Sequence, residues 1–306
     1  MQLSQLSPQP LWQIFEKICS IPHPSKHEQK ISAWIQQFAT DLDLAVKEDK
    51  VGNLIIKKPA TTGMENRKGV ILQAHMDMVP QKNNDKQHDF VNDPIEAYVD
   101  GEWVTANGTT LGADNGIGLA ASLAVLQSTD IKHGPLEVLV TIDEEAGMTG
   151  AFGLEAGWLD GEILLNTDSE DEGEVYMGCA GGIDVNIELP VEWETTDATK
   201  AAIKVSLNGL KGGHSGVDIH LGRGNANKLL VRMLSLLNID YAIASIQGGS
   251  LRNAIPREAE VTLVIDHQNK AALNTALNDI NRLFLAELSK IEPNILISIN
   301  FITCHI

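Results

Sequence analysis

The residues best suited to chemistry lie in Val70–Pro80, VILQAHMDMVP. The apolar run Val70-Ile71-Leu72 predicts a buried strand that ends by delivering His75 and Asp77. Alternate residues on extended backbone point the same way, so His75 and Asp77 face one site while Met76 packs away. Open α/β sheets gather their ligands at the carboxyl ends of strands. Alone, the tripeptide is better explained as a surface loop, and its meaning depends on what else ends beside it.

Other segments end in the same manner. Asp114 sits in GADNGIG ahead of a helix, Glu144 and Glu145 follow the strand PLEVLVTI, and Asp168 follows GEILLNT. Singly, Asp114 could cap its helix, Glu144-Glu145 could be a solvated turn, and Asp168 could join Glu170, Asp171 and Glu172 in an acidic loop. Together, at the strand ends of one domain, they are a poor coincidence. His, Asp and Glu without clustered Cys suit zinc or a similar catalytic ion, and oxygen-rich donors also suit manganese or cobalt. Several carboxylates with one imidazole suggest two metals about 3.5–4 Å apart with a bridging carboxylate. The charge of two divalent ions is cancelled by Asp114, Glu145, Asp168 and a hydroxide. Asp77 is then placed to orient the His75 imidazole, and Glu144 is free to act as general base on the attacking water.

The elements that must position these residues alternate between strand and helix. Leu11–Cys19 has a helical apolar face, and a second helix opens at Ser25, where Ser25 and Glu28 form a capping box before Ile31, Trp34, Ile35 and Phe38. Hairpins are expected around Gly52 and around Asp100-Gly101. The pattern predicts an α/β sandwich with a mostly parallel or mixed sheet. Past Gly181-Gly182 come a strand at Ile183–Leu189 and then, from Ala202, the order β-α-β-β-α-β of a ferredoxin-like α+β domain. The predicted domains are residues 1–183 and 184–306.

The 306-residue chain carries 41 acidic and 23 basic residues, a formal net charge of -18, which argues against nucleic acid or an anionic membrane as partner. Cys19, Cys179 and Cys304 are sparse and odd in number, which fits a reducing, cytoplasmic setting without disulfides. Neither a signal peptide nor an apolar run of membrane-spanning length is expected from the sequence.

His75-Met76-Asp77, Asp114 in GADNG, Glu144-Glu145 before Ala-Gly, and Asp168 resemble, in order, the signature of the co-catalytic zinc exopeptidases, relatives of aminoacylase, carnosinase and peptidase T. HMDMVPQ, TIDEEAGMTGA, NTDSEDEGEVYMGCAGG, GGHSGVDIHLGRGNA and GGSLRNAIPREA look like its dipeptidases that cleave Xaa-His. The resemblance runs from near the N-terminus to about residue 290. It implies a zinc-exopeptidase-like α/β sandwich with an inserted ferredoxin-like lid and dimerisation domain. It further implies two zinc ions per subunit, with His75 and Asp168 holding one, Glu145 the other and Asp114 bridging. Glu144 is then the base, Asp77 orients His75, and His214 of GGHSG steadies the oxyanion in the partner subunit of a homodimer. Asn253 and Arg257 resemble lid residues that contact the dipeptide substrate, while His220 and Arg223 receive no role. An aminoacylase-like amidohydrolase or carboxypeptidase is the alternative within this chemistry; a non-catalytic dimerising fragment is the alternative outside it.

The resemblance also implies a further zinc-binding histidine beyond the lid. His305 lacks its context, so the catalytic sandwich is expected to be incomplete and the second metal site short of a ligand. The expectation is weak or absent dipeptidase turnover by the 306-residue chain. A steady-state assay on protein of verified mass checks this, and turnover at a normal family rate contradicts it.

Overall fold

The run Val70-Ile71-Leu72 does form a strand, because two neighbouring strands supply it with partners and a helical layer covers it. In a computed structural model of the chain, residues 2–169, 173–178, 183, 185–197 and 199–302 are described. Glu170, Asp171, Glu172, Cys179, Gly181, Gly182, Cys304 and His305 lie outside the described residues. The chain divides into two compact units, Met1–Gly182 and Ile183–Ile306.

In the first unit, helices α1 (Gln9–Cys19) and α2 (Gln29–Asp41) lead into strands β1 (Ala45–Glu48), β2 (Leu54–Lys58) and β3 (Val70–His75). A hairpin of β4 (Ala97–Asp100) and β5 (Trp103–Ala106) precedes helix α3 (Ala113–Gln127) and strand β6 (Leu136–Thr141). Two short helices, α4 (Glu144–Gly147) and α5 (Thr149–Gly153), come before β7 (Ile163–Asn166). The main sheet has the order β1-β2-β6-β3-β7. Strands β1, β2 and β6 pair antiparallel, whereas β3 runs parallel to both β6 and β7. Its register sets His75 beside Thr141 and Gln73 beside Asn166. Three strand ends therefore emerge on one edge, which is what brings distant acidic residues together.

Burial explains the sheet's sidedness. Phe15 and Ile18 of α1, Ile31 and Ile35 of α2 and Leu119 and Leu123 of α3 pack with Leu54, Ile56, Ala74, Met76, Val138 and Val140. On the other face a smaller group, Ile55, Ile71 and Leu139, packs with Leu154, Trp158 and Leu159. Edge strand β7 leaves Ile163, Leu164 and Leu165 exposed.

Two local expectations are corrected. The second helix begins at Gln29 rather than Ser25, and its N-cap, Glu28, makes no capping side-chain bond. Ser25 and Glu28 instead find partners far along the chain, Asp77 and the Asp143 amide. The strand expected at Ile183–Leu189 is absent among its described residues; Val185, Ile187 and Leu189 are exposed, and β-propensity without a partner strand does not hold extended backbone in a ladder.

The second unit has strand β8 (Lys200–Asn208), helix α6 (Ala226–Leu236), strands β9 (Ala242–Gly248) and β10 (Ala259–Asp266), helix α7 (Lys270–Leu288) and strand β11 (Leu296–Ile302). The antiparallel sheet order β11-β8-β10-β9 is that of the ferredoxin-like pattern. Ile203, Val205 and Leu207 alternate inward with Val261, Leu263 and Ile265, and meet Leu230 and Met233 of α6 and Leu277 and Phe284 of α7. Asn225 caps α6 by accepting the Lys228 amide. Among the described residues, no helix is long and apolar enough to cross a membrane.

Phe284 is fully buried, with the Arg232 guanidinium 5.2 Å from its ring centroid. Phe284→Ala should lower the unfolding free energy of the second unit by about 3–5 kcal/mol, measured by denaturant titration.

Candidate metal centre

His75 is the last residue of β3 and is buried, and the Met76 amide continues the pairing by donating to the Thr141 carbonyl at 2.9 Å. Met76 turns into the core, as the alternation predicts, and Asp77 returns to the side of His75. His75 Nδ1 lies 3.0 Å from the Asp77 carbonyl oxygen and 3.2 Å from Asp77 Oδ1. That leaves Nε2 facing acidic neighbours, 3.1 Å from Asp114 Oδ1, 3.6 Å from Asp168 Oδ1 and 4.0 Å from Glu144 Oε2.

Each neighbour arrives by a distinct backbone device. At the start of α3, Asp114 departs from helical geometry at φ -83°, ψ 109°, so its carboxylate reaches His75 instead of capping the helix. Asn115, buried beside it, donates from Nδ2 to Asp168 Oδ1. A Cβ on Gly118 would strike Asn115 Oδ1 and Thr167 Oγ1, which is why a glycine stands there. Thr167 continues β7 by donating its amide to the Gln73 carbonyl at 3.0 Å, and Asp168 follows. Glu144 and Glu145 open α4 directly after Asp143, which is held at φ 49°, ψ 40°. Asp77 fixes that turn: Oδ1 accepts the Glu144 amide at 3.0 Å and Oδ2 the Glu145 amide at 3.2 Å.

The donor atoms of His75, Asp114 and Glu145 lie within 4.8 Å of one another, as do those of His75, Glu144 and Asp168. The electrostatics are those of a site short of positive charge. Burial disfavours a charged His75, yet hydrogen bonds to Asp114, Asp168 and Asp77 outweigh it and hold the imidazolium well above its ordinary range. Burial followed by the neighbouring Asp114 charge pushes Glu145 up to about 8, and burial raises Glu144 too. Burial also opposes ionised Asp168, but its bond to His75 wins and takes it down to about 2. One imidazole among crowded carboxylate oxygens fits a divalent cation of the zinc, manganese or cobalt type, which would relieve this mutual repulsion.

Behind this ring, Glu28, Asp77 and Asp143 form a second, buried carboxylate group. Both Asp77 oxygens already accept N–H or O–H donors and burial pushes Glu28 up toward its neutral form, while Asp143 accepts from Thr149 through Oδ2 and keeps Oδ1 buried without a hydrogen-bond partner. Sequence reading gave Asp77 only the task of orienting His75. It missed Asn115 altogether, although the residue sits inside the singled-out GADNG.

In the second unit, His214 is exposed in the Gly-rich loop before α6. Its amide donates to Asp218 Oδ2 at 2.9 Å, and its Nδ1 accepts the Gly216 and Val217 amides at 3.1 and 3.2 Å. Those bonds leave Nε2 as the ring's own donor. The Ser215 amide donates to the Asn253 carbonyl at 2.7 Å, joining the two singled-out segments. Arg257 keeps Nη2 buried without a hydrogen-bond partner. Glu292, fully buried and missed from sequence, accepts the Lys211 amide through Oε2 and the Gly224 amide through Oε1, both at 2.8 Å, and so clamps both ends of the loop.

Residues 205–292 match the sequence model of the peptidase dimerisation domain. Over 296 residues, 96% of this chain, the sequence is 57% identical to the cytosol non-specific dipeptidase of Escherichia coli K12. It spans 61% of that relative's length. A 27% identity over 81% of the chain relates it to the uncharacterized protein YqjE of Bacillus subtilis 168, of which it covers 63%. The crystal structure of aminoacylhistidine dipeptidase from Vibrio alginolyticus matches over 100% of this chain and 63% of that one, at 57% identity and a TM-score of 0.59. The resemblance read from the motifs is therefore a resemblance of the whole chain, and the α/β fold is shared with that dipeptidase.

Asp77→Asn should cost the first unit about 2–3 kcal/mol at neutral pH by weakening its charge-assisted bonds to the Glu144 and Glu145 amides. Burial works against the Asp77 carboxylate, but His75 and its other donors hold the folded pKa below the ordinary 3.8. The contribution is therefore complete above that value and fades as pH falls through the lower folded one, so wild type and variant should converge in acid. Denaturant titrations from neutral to acid pH check this.

Proposed function

We infer that this chain, a relative of the aminoacylhistidine dipeptidases with a peptidase dimerisation domain, serves the hydrolysis of dipeptides, Xaa-His among them, at a centre for two divalent metal ions. The observation that carries the reading is the convergence of His75 Nε2 with Asp114, Asp168 and Glu144 within 4.0 Å at the ends of parallel strands. Zinc is the proposed metal; His75 and Asp168 would hold one ion and Glu145 the other, with Asp114 available to both. Bound there, the ions would polarise the scissile carbonyl and acidify water.

The remaining steps belong to the chain's own side chains. Asp77 occupies His75 Nδ1 and so presents Nε2 to the metal. Glu144, whose carboxyl burial raises above its ordinary value, takes a proton from the attacking water and passes it to the departing amine. His214 donates from Nε2 to the developing oxyanion of a substrate held by the partner subunit. Asn253 and Arg257 hold the dipeptide, and the buried, unpartnered Nη2 of Arg257 suits a substrate carboxylate. Residues 1–183 thus supply the metal ligands of a cytoplasmic enzyme, and residues 184–306 its lid and homodimer contact.

Among the described residues both ligand groups draw on the same imidazole, His75. That supports a second metal site weaker than the first. Purification without added metal, followed by elemental analysis, should find one tightly held divalent ion per chain, lost in His75→Ala and Asp168→Ala. Any turnover should fall on Xaa-His dipeptides and drop about a thousandfold in Glu144→Ala. No bound metal, or preferred cleavage of N-acyl amino acids, contradicts the proposal.

A further inference from the structure

The segment His23–Glu28, HPSKHE, has the sequence of a capping box but does not cap. It runs instead beside the chain leaving β3. The Met78 amide donates to the His23 carbonyl at 3.2 Å, and the Ser25 amide donates to the Met78 carbonyl at 3.3 Å. From that position Ser25 Oγ donates to Asp77 Oδ2 at 2.7 Å. Glu28 Oε1 accepts the Lys26 amide at 2.9 Å and, across 115 residues of sequence, the Asp143 amide at 3.1 Å. Glu28 is only 5% exposed, although α2 begins at the next residue and a local cap would work from the surface.

The geometry points to Ser25 and Glu28 as positioning residues of the metal centre: Glu28 fixes the turn that carries Glu144 and Glu145, and Ser25 fixes the carboxylate from which that turn and His75 both hang. Forgoing a helix cap is unfavourable, and so is a non-glycine residue in the left-handed region. Both costs occur here together, at Glu28 and at Asp143 with φ 49°. They are offset by one arrangement: Glu28 holds the Asp143 amide, while Thr149 Oγ1 donates to Asp143 Oδ2. An apolar residue at position 28 would release the turn. Asp77 is likewise the shared acceptor of Ser25, Glu144 and Glu145. The catalytic meaning of this arrangement rests on the metallopeptidase reading; its geometry does not.

Hydrogen exchange on the metal-free 306-residue chain tests the geometry directly. In Glu28→Ala the amides of Asp143, Glu144 and Glu145 should exchange about tenfold faster, the loss of roughly one hydrogen bond. Glu28→Gln keeps an acceptor oxygen and should restore slow exchange. Ser25→Ala, a milder change that keeps the fold testable should Glu28→Ala not fold, should quicken Glu144 and Glu145 but not Asp143. Cobalt(II) added to the same proteins reads the consequence. The visible spectrum should change in Glu28→Ala and Ser25→Ala and match wild type in Glu28→Gln, with far-UV circular dichroism superimposable throughout. Unchanged exchange in both alanine variants, or Glu28→Gln behaving as Glu28→Ala, overturns the proposal. A wild-type chain that gives no cobalt spectrum counts instead against the metallopeptidase reading, and the exchange result stands apart from it.

Discussion

A buried carboxylate must be surrounded by donors, and in this chain the Asp77 carboxylate is surrounded by the pieces of the site. His75 Nδ1, Ser25 Oγ and the amides of Glu144 and Glu145 all converge on it. Left alone at 1% exposure it would be driven toward its neutral form; with these donors it is held ionised. Parallel pairing of β3 with β6 and β7 brings the strand ends to one edge, but pairing alone sets neither the angle of the imidazole nor the direction of the Glu144-Glu145 turn. Asp77 sets both.

The same device recurs wherever a loop matters. Glu137, buried within β6, accepts the Asp160 and Gly161 amides just ahead of β7, the strand that leads to Asp168. Asp49 takes the Val51, Gly52 and Asn53 amides in the turn between β1 and β2. Glu292 does so for the loop bearing His214. Acidic side chains inside this chain thus act as fixed acceptors for backbone that has no ladder partner. The outer ring of Asp114, Glu144, Glu145 and Asp168 differs in kind: its oxygens face one another and an imidazole, and burial with mutual repulsion lifts Glu145 to about 8.

Much of this was legible because period and punctuation are local. Val70–His75, Leu136–Thr141 and Lys200–Asn208 announce themselves as strands by apolar runs or alternation, and the α3 and α6 faces by helical spacing. The ligand set was legible because His75, Asp114, Glu144, Glu145 and Asp168 all stand at element ends. What failed depended on long-range partners. Ser25 and Glu28 have the right spacing for a cap, yet their oxygens meet Asp77 and Asp143 only once the sheet has formed. Ile183–Leu189 has strand alternation but no neighbour to pair with among the described residues. Asn115 and Glu292 carry no local signal, since a buried polar side chain is recognised by what it satisfies, and that is a tertiary fact.

The proposed divalent-metal centre at His75 and its carboxylate ring is open to spectroscopy. X-ray absorption on the zinc-loaded chain tests it most directly. The expected spectrum has a first shell of oxygens with one imidazole, whose multiple-scattering signature disappears in His75→Ala. Sulfur in the first shell, or a spectrum unchanged by that substitution, would contradict it.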